Sequence, residues 1–328
     1  MFLIYLLYKN IFMKKYYIQT LCVLFMSLFS FTLSAQQDAQ YTQYVYNTAN
    51  INPAYAGSRD VLSIVGLHRN QWIGIEGAPR TSTLAIHTPL GLNRRVALGG
   101  SVIQDEIGPT EESYLSADFS YTIPVSEEGK LSFGLKATAQ LINVDFSKLS
   151  INEPLDPSFA RNIDNDFNPN FGVGLYYYNQ KSYLGLSAPN ILETEHFDRE
   201  NFAGSQSSSI TSSERTNFYL LGGHIFTLSD NVLFKPSFLT KLVLGAPLQV
   251  DVSANFLIHD KFSLGLAYRW SAAVSALVGF QISDSLMIGF AYDRETTELQ
   301  EFNDGSFEIM LRFELLKKYS QVITPRFF

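Results

Sequence analysis

The 328-residue chain is 46% hydrophobic and 14% aromatic, with 26 Phe, 18 Tyr and only 17% charged residues. A mean hydropathy of +0.02 excludes a bundle of membrane helices, while the aromatic content suits pleated, half-exposed strands. A formal charge of −7 without a basic cluster excludes nucleic acid as a partner.

The chain opens on a segment that reads as a secretory signal peptide, residues 1–35. Lys14-Lys15 is its basic region, Tyr16–Phe31 its apolar stretch and Leu33-Ser34-Ala35 its cleavage site. The expected start is Met13, with Met1–Phe12 an extension. A membrane anchor over Leu21–Leu33 would be shorter than the ~20 apolar residues a spanning helix needs. The one cysteine, Cys22, lies in the signal and lacks the small neighbours of a lipoprotein site, so the mature chain has no thiol chemistry. The signal holds Lys9, Lys14 and Lys15 and no acid, which leaves 21 basic against 31 acidic residues, a charge of −10.

Residues 36–58 form a polar, tyrosine-rich leader. Tyr41, Tyr44, Val45 and Thr48 fall at helical spacing beside Gln40, Gln43 and Asn47. The leader either enters a barrel mouth as a plug or hangs as a periplasmic arm. The three tyrosines and one valine of Asp38–Ala49 are a poor composition for free solvent, which favours the plug. It ends in the turn Asn52-Pro53-Ala54-Tyr55-Ala56-Gly57.

Residues 59–314 repeat a strand–turn–strand move. In Lys130–Leu141, Phe133 and Leu135 alternate with Lys136 and Thr138. In Leu248–Ile258, Val252 and Phe256 alternate with Asp251 and Ser253. Strict alternation over such lengths marks one-sided strands, and these segments approach the roughly 9–11 residues that cross a bilayer. About fourteen strands can be placed. Every second link is tight, as at Gly91–Arg94, Ser126–Gly129, Asn179–Lys181, Ser229–Asn231, His259–Lys261 and Ser283–Ser285. Among the others, Asn70–Arg80, Phe146–Phe167, Asn190–Arg215 and Asp293–Gly305 are long. Short turns at one end and long loops at the other predict an all-β transmembrane antiparallel β-barrel. The apolar residues named above should face lipid and the polar ones the lumen. An even strand count leaves both chain ends on the short-turn, periplasmic side. Aromatics such as Trp72, Tyr114, Tyr268 and Tyr292 near strand ends suit headgroup level. Residues 315–328 form a tail with no assigned place.

No catalytic motif survives inspection. The five histidines have no metal spacing. Gly185-Leu186-Ser187-Ala188-Pro189 begins like a nucleophile elbow but lacks its last Gly and its strand–turn–helix context. Asp164-Asn165-Asp166 has neither the Gly nor the Glu of a calcium loop and reads as a solvated acidic loop. Gly204–Arg215 is a Ser-rich loop tip. The expectation is a non-enzymatic protein without cofactor or metal.

Several stretches resemble the PorP/SprF family of type IX secretion system outer-membrane proteins of Bacteroidetes. They are QYTQYVYNTANINPAYAGSRD (Gln40–Asp60), SIVGLHRNQWIGIEGAPRT (Ser63–Thr81), IGPTEESY (Ile107–Tyr114), LSFGLKATAQLINVDFSKL (Leu131–Leu149) and SFEIMLRF (Ser306–Phe313). Within the first two lie Asn52, Pro53, Ala54, Tyr55, Gly57, Arg69, Trp72, Pro79 and Arg80. The final stretch departs from the family in having Phe307 where His is usual. The resemblance implies an outer-membrane barrel that works with type IX components. It implies help in exporting, or retaining at the surface, a secreted cargo such as an adhesin, engaged through the cargo's C-terminal sorting domain. Some members are linked to gliding motility.

Two further readings compete. One is a fatty-acid-transporter type of channel, which also combines about fourteen strands with an N-terminal plug. The other, a barrel hydrolase, has no motif behind it. If a client docks, the long loops are the place, because recognition can sit on mobile loops without disturbing a rigid barrel. Phe159, Arg161, Phe167, Phe197, Arg199 and Phe202 are of the types that anchor interfaces.

Overall fold

The computed structural model describes residues 40–149, 162–196 and 212–315, with the side chains of 194–196 and 212–214 excepted. The segment expected to be a signal peptide and all of the tail beyond Leu315 lie outside these residues. The chain divides into two units. The larger, Gln37–Leu244 with Leu248–Phe328, is the one described below; the smaller is Met1–Gln36 with Gly245–Pro247.

Fourteen strands make one ring. They are β1 (Leu62–Asn70), β2 (Arg80–Leu90), β3 (Val96–Ile107), β4 (Thr110–Pro124), β5 (Lys130–Val144), β6 (Ile163–Tyr178) and β7 (Ser182–Ala188). Then come β8 in two pieces (Asn217–His224 and Phe226–Ser229), β9 (Val232–Val243), β10 (Gln249–Ile258), β11 (Phe262–Arg269), β12 (Ala273–Ser283), β13 (Leu286–Glu295) and β14 (Ser306–Leu315). Each strand pairs antiparallel with its sequence neighbours, and β14 pairs with β1, closing the ring. Closure leaves no free edge to aggregate. β8 breaks at Ile225. On β9, in the register that follows from Gly223↔Ser237, stands Pro236, which has no N–H to give.

The alternation sets the facing. Leu135 is 58% exposed and its neighbour Lys136 only 5%; Val252 and Phe256 point outward while Asp251 and Ser253 are buried. Apolar side chains outward and polar side chains inward is the reverse of a soluble protein and suits a wall bathed in lipid. Strands of 12 to 16 residues at β3 to β6 are more than long enough to cross.

Links at one end are tight: 91–95, 125–129, 179–181, 230–231, 259–261 and 284–285. Arg94, His259 and Asp260 there have φ above zero, as tight hairpins require. The other end carries 71–79, 145–162, 189–216 and 296–305. That end is extracellular by the ordinary layout of outer-membrane barrels. Three links at that end are short instead: 108–109, 244–248 and 270–272. Strands β3 and β4 zip further than alternation suggests and meet at Gly108-Pro109, where Gly108 adopts φ 57.

Candidate functional site

The leader, residues 40–58, lies inside the barrel. Residues 41–58 are buried throughout. The segment is a string of turns, with only Thr48–Ile51 α-helical and Pro53–Tyr55 a 3-10 turn. Its contacts trace its path. Near the long-loop end the Gln40 and Gln249 side-chain amides pair with each other. The Tyr44 hydroxyl meets Ser253 at 3.3 Å, the Tyr46 hydroxyl meets Ser263 at 3.4 Å, and Arg312 lies over the Tyr46 ring. Lys136 Nζ donates to the Asn50 carbonyl, Ser187 Oγ to Ile51 and Ser120 Oγ to Ala56. Gly57 N donates to His87 Nδ1, and Arg59 binds Glu314 at 2.6 Å near the short-turn end.

The Asn52-Pro53-Ala54 turn needs a floor without side chains. Asn52 Oδ1 accepts from Ala54 N at 2.9 Å, while its Nδ2 donates to the Leu175 carbonyl at 3.0 Å and reaches that of Leu186. Gly134 and Gly174, in-register partners on β5 and β6, lie directly beneath. A Cβ on Gly134 would overlap the Ala54 backbone, and one on Gly174 would overlap the Asn52 amide. Asn52 thus borrows carbonyls from the wall, and glycine permits the approach. Gly57 ends the turn at φ 76, with Ala97 where its Cβ would be.

The strongest charges sit under the mouth. Arg69 Nη1 is 2.6 Å from Asp293 Oδ2 and 2.6 Å from Glu308 Oε1, with all three side chains buried. One guanidinium faces two carboxylates, and the leader supplies the missing donors. The Thr42 hydroxyl donates to Asp293, Thr42 N donates to Glu308 Oε1 at 2.6 Å, and Gln43 N donates to Glu308 Oε2 at 2.9 Å. Buried charges of this kind are tolerated only when fully paired and hydrogen-bonded. Lys136–Asp118 and Arg269–Asp251 are further ion pairs on the inner wall.

The mouth itself is tied together by backbone. Trp72 N donates to Ser306 Oγ and its indole Nε1 to Glu295 at 3.0 Å. Ile73 N donates to the Gly305 carbonyl, Asp304 N returns a bond to Ile73, and Gly108 N donates to Gly77. Gly74 and Gly77 adopt φ 99 and 72 in this loop, and Pro79 closes it by accepting from Gln71 N. Arg80 is exposed at the start of β2.

The structure therefore gathers Asn52, Pro53, Ala54, Tyr55, Gly57 and Arg69 in the lumen and Trp72 and Pro79 at its mouth. Phe167 is not a loop residue. It lies on β6 opposite Leu141 and faces outward, because β6 begins at Ile163 and absorbs Asp164-Asn165-Asp166. An Asn165 kink at φ 53, bonded through its N–H to Asn143, lets the strand start early. Phe159, Arg161, Phe197, Arg199 and Phe202 lie outside the described residues. Ser187 is committed to the leader, and no group of three acidic, His or Cys side chains among the described residues is arranged for a metal. Sequence reasoning missed Asp293 as the partner of Arg69 and the glycine floor. Charges recurring at inward positions, together with inward glycines, were the available signal.

A closed antiparallel barrel with a lipid-facing apolar wall and a chain segment held in its lumen is an outer-membrane β-barrel protein. The chain belongs to the PorP/SprF family, described as type IX secretion system membrane proteins, whose family model matches residues 33–313. A comparison with curated proteins finds no match. Among solved structures it is similar to the CymD monoaromatic hydrocarbon channel, at 13% identity and TM-score 0.47, covering 82% of this chain and 93% of that one. It is also similar to a Pseudomonas aeruginosa FadL homologue, at 14% identity and TM-score 0.46, covering 81% and 94%. A third is the Acinetobacter baumannii outer membrane protein Omp33, at 10% identity and TM-score 0.42, covering 78% and 98%.

Proposed function

We propose that this type IX component is a non-catalytic docking barrel that helps export a secreted client, such as an adhesin, or holds it at the cell surface. Family membership supplies the secretion system. The observation that carries the docking reading is the filled lumen. Residues 41–59 are buried there and bonded to the wall from Asp293 near one end to Glu314 near the other. A lumen so occupied leaves the extracellular loops as the recognition surface.

A channel for hydrophobic small molecules is the alternative. Pathways for apolar ligands are lined mainly by apolar and aromatic groups. This inner wall instead presents Lys136, Asp118, Asp251, Arg269, Glu308 and Arg312, and the leader presents Thr42, Gln43, Asn47 and Asn50. Those groups favour docking.

The test is to shorten links 145–162 and 189–216 to Gly/Ser turns and follow the client on intact cells. Assembled barrels with the client released or its export blocked are the expected result. Assembled barrels with wild-type client levels would refute docking through these loops.

A further inference from the structure

We propose that the leader runs from outside to inside, so that the mature N-terminus is displayed on the cell surface at the long-loop mouth. Both termini of such a barrel would ordinarily be assigned to the periplasm from an even strand count. The contacts contradict that for the N-terminal end. Gln40, the first described residue, pairs with Gln249, the first residue of β10, where the chain has just come from the long-loop end. Thr42 is bound to Asp293 and to Glu308, the third residue of β14, and Arg69, one residue from the end of β1, holds both. All of these lie at the long-loop end. The leader then descends past Ser253 and Ser263 and leaves at the short-turn end, where Arg59 meets Glu314 and Asp60 meets Lys130. Burial agrees with that course: Gln40 is half-buried, and everything after it to Arg59 is buried.

The reach of the chain ahead of Gln40 agrees with that course. Cleavage after Ala35 leaves Gln36, Gln37, Asp38 and Ala39 ahead of Gln40. Fully extended, four residues span at most about 14 Å. The ten residues of β10 beside them rise ~3.4 Å each, about 25 Å of height at a tilt of roughly 40°. The terminus cannot return to the short-turn end, and the lumen it would retrace is filled by the leader itself. A surface-displayed terminus also implies that the barrel closes around a leader already threaded through it.

The mature chain has no cysteine, so single introduced thiols report cleanly. Asp38→Cys is compared on intact cells with Gln300→Cys in the long-loop link 296–305 and Asp284→Cys in the short turn 284–285, using a membrane-impermeant maleimide. The proposal expects Asp38→Cys to label with Gln300→Cys, and Asp284→Cys to label only after permeabilisation. Labelling of Asp38→Cys only after permeabilisation overturns it, as does a reversed pattern in the two reference positions. A short epitope inserted between Gln37 and Asp38 gives a second readout: antibody binding to intact cells supports surface display, and binding only to broken cells refutes it. Neither experiment depends on a client, so its failure is distinct from failure of the docking reading.

Discussion

Arg69 and Glu308 stand opposite each other in the register of β1 and β14, 2.6 Å apart and buried, at the seam where the first and last strands close the barrel. Asp293 on β13 shares the same guanidinium nitrogen at 2.6 Å. The closing seam and the seating of the leader are thus one structure, since Thr42 and Gln43 bind the same two carboxylates.

Arg69→Met should therefore destabilise the barrel strongly. It leaves two carboxylates in a buried site without their cation, a change that typically costs about 3–5 kcal/mol. Urea unfolding in detergent reads this as a lower midpoint. The triple variant Arg69→Met/Asp293→Asn/Glu308→Gln should recover much of the loss, because no uncompensated charge remains. A single variant as stable as wild type would show that the cluster does not hold the seam.

Gly134→Val should dislodge the leader while sparing the wall. Its side chain would occupy the position of the Ala54 backbone, and overpacking of this kind costs roughly 1–3 kcal/mol. Limited proteolysis of the folded barrel should then cut within 40–58, where the wild type resists. Unchanged resistance would mean that the turn tolerates a side chain beneath it.

Leu135→Arg should impair assembly. Leu135 lies on the lipid side of β5, and an arginine near the bilayer midplane costs about 2–4 kcal/mol. Phe302→Arg, at an exposed position in link 296–305, should assemble normally. Heat-dependent mobility on gels distinguishes folded from unfolded barrels. Equal yields of both variants would contradict the assigned facing.

Strand positions and facing were legible because a lipid-bathed wall enforces period two, so Leu135 and Lys136 separate on pattern alone. The exceptions are local. Extension of β3 and β4 to Gly108-Pro109 and the early start of β6 depend on Gly108 and Asn165 adopting positive φ, which alternation does not encode. Phe167 lies on a strand and not in the predicted loop for that reason. The leader's Tyr41, Tyr44 and Val45 argued against free solvent but did not say which strands they meet. The pairing of Arg69 with Asp293 and Glu308 was not legible because those residues are separated by more than two hundred positions and meet only when β1 and β14 close. Gly134 and Gly174 looked like ordinary strand glycines until a backbone lay against them.

The difference between a docking barrel and a channel lies in whether the leader must move. Thr42→Cys combined with Asp293→Cys places two thiols where the wild-type side chains touch, in a chain whose one native cysteine, Cys22, lies in the segment expected to be removed as a signal peptide. Oxidised, the pair locks the leader to the wall; reduced, the same protein is free. Client export and retention, measured on cells carrying this variant with and without reductant, should be equal in the two states. Loss of the client in the oxidised state and its return on reduction would contradict docking on a filled barrel and require a leader that opens.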